Sequence, residues 1–279
     1  MSIHSNMSII QRDLPTIRIV KISSSVYNKN MITRQIIETL TTQLHIPAFG
    51  IAPWPLPADA KQYIHTDNPC PFTSGTLEER LTGNTQIAAQ SAIVCLFPYF
   101  MEAPTSNLPK YAWAKDYHLV VKEYLTTLGT ALQELDNTVQ FEVHCDTSPL
   151  ADRYMAYLAG LGVFGRNRSL INPQWGSYTS IGTLLTTIPL EPNHPMEGNC
   201  LSCNRCVMAC PGQSLGQKDF HFETCKSYLT QKKGELTDEE KEILRKSPLI
   251  WGCDICQDVC PHNNNVPLTP IKEFQHIDP

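Results

Sequence analysis

The sequence predicts an α/β (α+β) chain in two parts: a helix-covered sheet over residues 1–190 and a cysteine-rich module over residues 191–279. Three observations predict it. Strand-like and helix-like patterns alternate through the first part, as expected for a sheet covered by helices. A breaker-rich stretch, Glu191-Pro-Asn-His-Pro-Met-Glu-Gly198, ends that alternation. Beyond it lie eight of the eleven cysteines, all between positions 200 and 260.

The elements follow in order. Residues 17–22 (IRIVKI) read as a short strand, and residues 31–44 as an amphipathic helix. Residues 50–90 read as a long loop rich in Pro, Thr and Asn, of the kind that serves as a lid or binding loop or makes an irregular surface excursion. Residues 91–97 (SAIVCLF) read as a strand. Over 109–135, Tyr117, Val121, Tyr124, Leu125, Leu128, Leu132 and Leu135 recur at helical spacing. Val139–His144 is another strand. Residues 149–159 form a helix opened by Pro149, a residue suited to a first turn. Residues 178–188 (YTSIGTLLTTI) are threonine-rich and β-branched, which predicts a strand. In the module, Thr237-Asp-Glu-Glu240 is a capping box opening a helix to about Arg245.

The totals bound the chain. It has 279 residues, enough for one large or two ordinary domains. An apolar content of 42% and a charged content of 18% are those of a globular protein. No apolar run approaches the roughly 18 residues of a membrane span, and no secretory signal is visible. A net charge of −5 argues against a wholly basic surface and leaves room for a local basic patch. Without a signal, so many cysteines read as metal ligands in a reducing cytoplasm rather than as disulfides.

The cysteines fall into two runs. The bacterial ferredoxin pattern is C-x₂-C-x₂-C-x₃-C-P, and the fourth cysteine of each run ligates the other cluster. Cys200, Cys203, Cys206, Cys210 and Pro211 complete the first run. Cys253, Cys256, Cys260 and Pro261 form a second run whose first cysteine is replaced by Ile250. By the crossover rule one [4Fe–4S] cluster takes Cys200, Cys203, Cys206 and Cys260. The other takes Cys210, Cys253 and Cys256, and Cys225 is the cysteine left in this region to complete it. A zinc ribbon is the competing reading, but zinc normally takes two C-x₂-C pairs. Two clusters make an electron wire, so the first 190 residues should hold what the electrons are for.

Gly160-Leu-Gly-Val-Phe-Gly165 matches a dinucleotide fingerprint, but it follows a helix and precedes a turn, the wrong context. Its glycines let backbone approach a large flat ligand, or make a turn. At the end of the strand, Asp146 reads either as a helix N-cap or as a carboxyl facing a cleft. His118 reads as a surface or core residue, Tyr117 as core, Cys95 as a buried small hydrophobe, and Cys145 as facing away from Asp146. Trp113 and Trp175 either line a cleft or pack.

Residues 85–265 resemble the epoxyqueuosine reductases, cobalamin-dependent iron–sulfur enzymes of queuosine biosynthesis. The matching segments are Tyr111-Ala-Trp-Ala-Lys-Asp-Tyr-His118, Asp146-Thr-Ser-Pro149, Ala159-Gly-Leu-Gly-Val-Phe-Gly-Arg-Asn167, Leu170-Ile-Asn-Pro173 and Gly176-Ser-Tyr178, followed by the cysteine runs. The resemblance implies an N-terminal α/β cobalamin-binding domain, related to nitroreductase-like and cobalamin-processing folds. It implies a C-terminal ferredoxin-like module with two [4Fe–4S] clusters feeding electrons to cobalt. It further implies removal of the epoxide oxygen of epoxyqueuosine in a tRNA anticodon. Asp146 would be the proton donor, protonated through burial, with Ser148, Gly160, Gly162, Gly165, Arg166 and Asn167 at the cofactor. A low-potential donor such as flavodoxin or ferredoxin would supply electrons. Family members carry a further helical-repeat domain that grips tRNA, so a short form is expected. Arg166, Arg168, Lys226, Lys232 and Lys233 are the candidates for a basic patch. The alternatives are a corrinoid reductase acting on a small molecule or corrinoid protein, and an electron-transfer protein without a tRNA substrate.

Overall fold

A computed structural model describes residues 32–64, 68–102, 106–216 and 219–277. The strand expected at 17–22 lies outside the described residues. The first helix, α1 (Arg34–Gln43), buries Ile36, Ile37, Leu40 and Thr41 on one face, with the Thr41 hydroxyl donating to the Glu38 carbonyl. The segment expected as a long loop is more regular than its composition suggests. It begins inside strand β1 (Ala48–Pro53) and carries two short helices, α2 (Ala60–Ile64) and α3 (Leu77–Thr82). A capping box between Thr76 and Glu79 opens α3.

The next strand is β2 (Ser91–Pro98), followed by the long helix α4 (Tyr117–Leu135) and strand β3 (Phe141–His144). Helix α5 (Asp152–Leu158) starts later than expected: Ala151 is its N-cap, and Pro149 sits in the turn ahead of it. The short strands β4 (Val163–Phe164) and β5 (Leu170–Ile171) pair as a hairpin, and β6 (Thr179–Thr186) completes the main sheet.

That sheet has the order β1-β2-β6-β3, and every neighbouring pair is antiparallel. β2 and β3 therefore run in the same direction, with α4 carrying the chain back between them and β6 inserted against both. Every residue of β2 is buried, because both faces are covered. Ile93, Cys95 and Phe97 join the core with α1 and α4, while Ala92, Val94 and Leu96 join the core with α5. The helix α4 lies close to β6 because Gly182 has no side chain. A Cβ there would stand 2.4 Å from Val121 Cγ1.

Among the described residues the cysteine module contains four short α-helices: α6 (Arg205–Ala209), α7 (Lys226–Leu229), α8 (Asp238–Arg245) and α9 (Ile255–Asp258). The capping box expected at Thr237 and Glu240 opens α8. α6 and α9 pack against each other. Polar residues in and just after the second cysteine run dock the module on the sheet unit. Asp254 Oδ2 accepts from the Lys110 N–H at 2.8 Å, Gln257 Oε1 from the Ser177 hydroxyl at 3.0 Å, and Asn263 Oδ1 from the Ser177 N–H at 2.7 Å. The breaker-rich stretch is no free linker. The Asn193 and Ile51 backbones pair, and Asn193 Oδ1 accepts the Ile51 N–H at 2.8 Å, so this stretch covers the outer edge of β1. The C-terminal segment returns to the first unit, with Ile271 and Phe274 buried in the core beside α4.

Candidate active site and cluster-binding cradles

A cleft of about 1140 Å3 opens at the end of the sheet where β2 and β3 finish and β6 begins. Asp146 lines it, two residues beyond β3, with a left-handed backbone at φ +53°. That conformation is uncommon for a residue with a side chain and marks a constrained turn. Asp146 does not cap α5; its side chain turns to the start of α4. Asp146 Oδ2 accepts from the Tyr117 hydroxyl at 2.7 Å and faces His118 Nε2 at 3.1 Å. His118 Nδ1 in turn faces Asp116 Oδ1 at 2.7 Å. The Tyr117 and His118 rings stack with centroids 4.1 Å apart. Burial, reinforced by the Asp146 carboxylate, pushes the Tyr117 hydroxyl far above its usual pKa, so it remains the donor in this bond. Tyr117 and His118 are thus neither plain core nor plain surface, as expected from the sequence, but partners of the carboxyl.

The Asp146 side chain is 60% exposed. The burial expected around it must come from whatever fills the cleft. A second carboxyl, unnoticed in the sequence, lines the same cleft at the start of α5. Burial pushes Asp152 up to about 7, the Asp146 charge adds to this, and Arg153 and Arg80 oppose it. Asp152 Oδ1 has no hydrogen-bond partner among the described residues.

The glycine-rich segment divides. Ser148 and Gly165 line the cleft. Gly160 and Gly162 do not; they are glycines because of backbone crowding. A Cβ on Gly162 would lie 2.5 Å from the Ile171 carbonyl oxygen, and Gly160 has φ +69° against the His194 carbonyl. Arg166 and Asn167 line a different cavity, formed with Cys200, Cys203, Cys206 and Cys260. The Arg166 guanidinium donates to Asn204 Oδ1, and Asn167 Nδ2 donates to the Cys256 carbonyl at 3.3 Å. Trp113 donates to the Leu108 carbonyl at 2.9 Å, Trp175 is buried, and neither lines the cleft. Cys95 and Cys145 are buried, and burial raises both thiols. Of the basic-patch candidates, Lys226 is buried and donates to the Leu244 and Ser247 carbonyls, and Lys232 pairs with Glu240.

The eight module cysteines gather into two groups. Cys200, Cys203, Cys206 and Cys260 surround one cavity. In the second group burial raises the Cys256 thiol, and Cys253, Cys225 and Cys210 raise it further, with a smaller contribution from Cys206 of the first group, so these thiols stand within electrostatic reach of Cys256. Among the described residues no three His, Cys, Asp or Glu side chains converge tightly enough for a single metal ion. Thiols spaced around a void suit a cluster of several irons. A further observation fits a cluster in the first group: His262 lines that cavity, and its buried Nε2 has no partner among the described residues. Sulfide or thiolate there would accept its N–H. The second group backs onto the cleft, since Phe222 and Cys70 line it and Cys70 is within electrostatic reach of Cys225.

Residues 199–263 match the family described as 4Fe-4S double cluster binding domain, and residues 84–147 the family described as Epoxyqueuosine reductase QueG, DUF1730. The chain belongs to the epoxyqueuosine reductase family. It is 40% identical over 204 residues to the epoxyqueuosine reductase of Listeria monocytogenes, covering 69% of this chain and 53% of the relative. It is 36% identical over 191 residues to that of Leadbetterella byssophila, covering 67% and 63%. The chain thus spans about half to two thirds of the length of these relatives. The structure superimposes on epoxyqueuosine reductase from Streptococcus thermophilus with a TM-score of 0.77 at 26% identity, over 87% of this chain and 68% of that one. It matches an epoxyqueuosine reductase solved with an epoxyqueuosine-modified tRNA stem loop with a TM-score of 0.78 at 28% identity, over 87% and 69%. A reductive dehalogenase shares the fold at 14% identity and a TM-score of 0.53.

The family's double-cluster domain is therefore the cysteine module, in a mixed α/β fold as the sequence predicts. Tyr117, His118 and Asp152 were the residues that sequence reading undervalued. The Asp-Tyr-His segment carried the signal for the first two, since a helix that starts with Asp116 as N-cap aims its first turn at the same strand ends.

Proposed function

We propose that this chain is a cobalamin-dependent epoxyqueuosine reductase acting on a tRNA anticodon, with residues 1–190 holding cofactor and substrate and residues 191–279 carrying electrons. The observation that carries this reading is Asp146, held by Tyr117 in a constrained turn at a large cleft that the second cysteine group adjoins. The cleft has the volume for a large cofactor. Ser148, Gly165 and the ends of β2, β3 and β6 would hold it there, and when bound it supplies low-potential two-electron chemistry at cobalt.

The net change removes the epoxide oxygen: two electrons and two protons enter, both carbon–oxygen bonds break, and an alkene and water leave. Opening an epoxide places negative charge on oxygen, so a proton at Asp146 lowers the barrier. Tyr117 orients the carboxyl through Oδ2. The line Asp116–His118–Asp146, joined at 2.7 and 3.1 Å, offers a route for the carboxyl to regain its proton from solvent, where Asp116 is 55% exposed. Cys203 and Leu201 are exposed at the first cysteine group, while the second adjoins the cleft. Electrons would enter at the first cluster from a carrier such as flavodoxin or ferredoxin and leave through the second. Among the described residues no helix is long and apolar enough to cross a membrane, and clusters of this kind suit a reducing cytoplasm.

The test is reduction of an epoxyqueuosine-bearing tRNA by the reconstituted protein under anaerobic conditions, read as nucleosides by mass spectrometry. Asp146→Asn is expected to lower turnover by at least about 100-fold, with iron content and cobalamin binding retained. Turnover at the parent rate in this variant would remove the proton-donor role.

A further inference from the structure

Four aromatic side chains stand exposed around the cleft. Tyr63 is 57% exposed, Phe72 49%, Phe220 42% and Phe164 38%, and all four line the cleft. Among the described residues Trp251 is the one other aromatic side chain in this class. Exposed rings concentrated at one opening mark a binding surface rather than chance.

Tyr63, Phe72 and Phe164 are held in rows by neighbouring rings. Tyr63 on α2 stacks on Tyr154 of α5 with centroids 4.9 Å apart and planes 20° apart. Tyr154 stacks on Tyr157 at 6.3 Å, and Tyr157 leans on Phe164 of β4 at 5.3 Å. In a second row Phe72 packs on Tyr228 at 5.3 Å, and Tyr228 on Phe222 at 5.0 Å. A ring already held by a neighbour loses little freedom when a ligand stacks on it.

Cations accompany the rings. Arg80, Arg153 and Arg168 line the same cleft. Arg80 donates to the carbonyl of Ile64, beside Tyr63, at 3.0 Å. Arg168 lies in the turn after Phe164, and Arg153 donates to its carbonyl. Burial disfavours the Arg153 charge, and Arg168 and Arg80 stand close enough to disfavour it further, with Asp152 as a partial counterweight. A polyanion would relieve that repulsion.

Flat rings beside guanidinium groups are the chemistry that recognises unpaired nucleotides: rings stack on base faces and cations meet phosphates. We propose that the rim formed by Tyr63, Phe72, Phe164 and Phe220 is a stacking platform for unpaired bases flanking the reacting nucleotide, with Arg80, Arg153 and Arg168 meeting the backbone between them. This deepens the tRNA reading above and rests on it. Paired bases hide their faces in the helix stack, so the platform selects a loop over a stem.

The test uses the reconstituted full chain loaded with cobalamin and an unmodified anticodon stem-loop RNA carrying 2-aminopurine on either side of the wobble position. Binding is followed by anisotropy and stacking by quenching of the 2-aminopurine. The parent is expected to bind and quench. Tyr63→Ala, Phe72→Ala and Phe164→Ala are each expected to weaken binding about tenfold and to relieve quenching, while Tyr63→Phe and Phe164→Tyr behave as the parent. Iron content and cobalamin affinity should not change. Parent-like binding and quenching in all three alanine variants would overturn the platform while leaving the tRNA reading standing. Loss of cobalamin affinity with stem-loop affinity unchanged would assign the rim to the cofactor and overturn it likewise. No stem-loop binding by the parent would overturn the tRNA reading, and the platform with it.

Discussion

The Asp152 carboxyl lies six residues beyond Asp146, in the same cleft, and burial pushes it up to about 7. An unfolded chain releases this proton near pH 4. The folded protein therefore favours the protonated form, and this group's contribution to stability is complete below about pH 4. It declines as pH rises and is lost above about pH 7. Asp152→Asn removes the ionisation, so its melting temperature should rise relative to the parent from about pH 4 to about pH 7 and then run parallel. Thermal melts across pH check this, and an offset that does not change with pH would mean that the folded state does not resist the charge. His262 acts on the first cluster's cavity. Its Nε2–H would donate to cluster sulfur and favour the more negative, reduced form. His262→Ala should leave iron content unchanged and move the midpoint potential of one cluster to a more negative value, read by a redox titration followed by paramagnetic resonance. At this scale the strand-end position of Asp146 fitted a helix cap as well as a cleft carboxyl, and the family resemblance singled it out. The sequence could not reveal that Tyr117 and His118 meet it, because that contact joins residues about 29 positions apart.

Among the elements, helix α7 begins immediately after Cys225, so the thiol sits at a fixed turn in the loop between the two cysteine runs. Cys225→Ser should reduce iron from about eight to about four per chain, because the second cluster loses one of its four thiolates. Full iron content would place the fourth ligand elsewhere. The two cysteine runs were legible in the sequence because their spacings are short and fixed, and the exchange of ligands between them is proposed from the two-cluster pattern. Strand β1 was not legible. Its residues Ala48–Pro53 include a glycine and end in proline, and they become a strand by pairing with β2 along six positions. Long-range pairing overrides weak local preference. α4 was legible because a long helix repeats its apolar face many times.

The whole molecule is tied together more closely than the change in composition at residue 191 suggests. The module's Asp254, Gln257 and Asn263 bond to the sheet unit, and the C-terminal segment places Phe274 in the core at 1% exposure. Phe274→Ala should destabilise by about 3–5 kcal/mol. Because the last segment links both units, ellipticity and cluster absorbance should be lost in one transition at a lower temperature. Two separated transitions would show that the units unfold independently.

The sequence by itself determined the α/β character and the two cysteine runs, and it offered the candidate carboxyl Asp146. Those features lie in local spacing and periodicity, which short stretches of chain fix on their own. Only the tertiary structure decided the antiparallel strand order, the removal of Arg166 and Asn167 from the cleft to a cluster cavity, and the pairing of Asp146 with Tyr117 and His118. It alone gathered aromatic rings from α2, α5, β4 and the cysteine module at one opening. Each of these depends on contacts between distant segments, whose closure is set by packing of the whole chain and not by the preference of any one stretch.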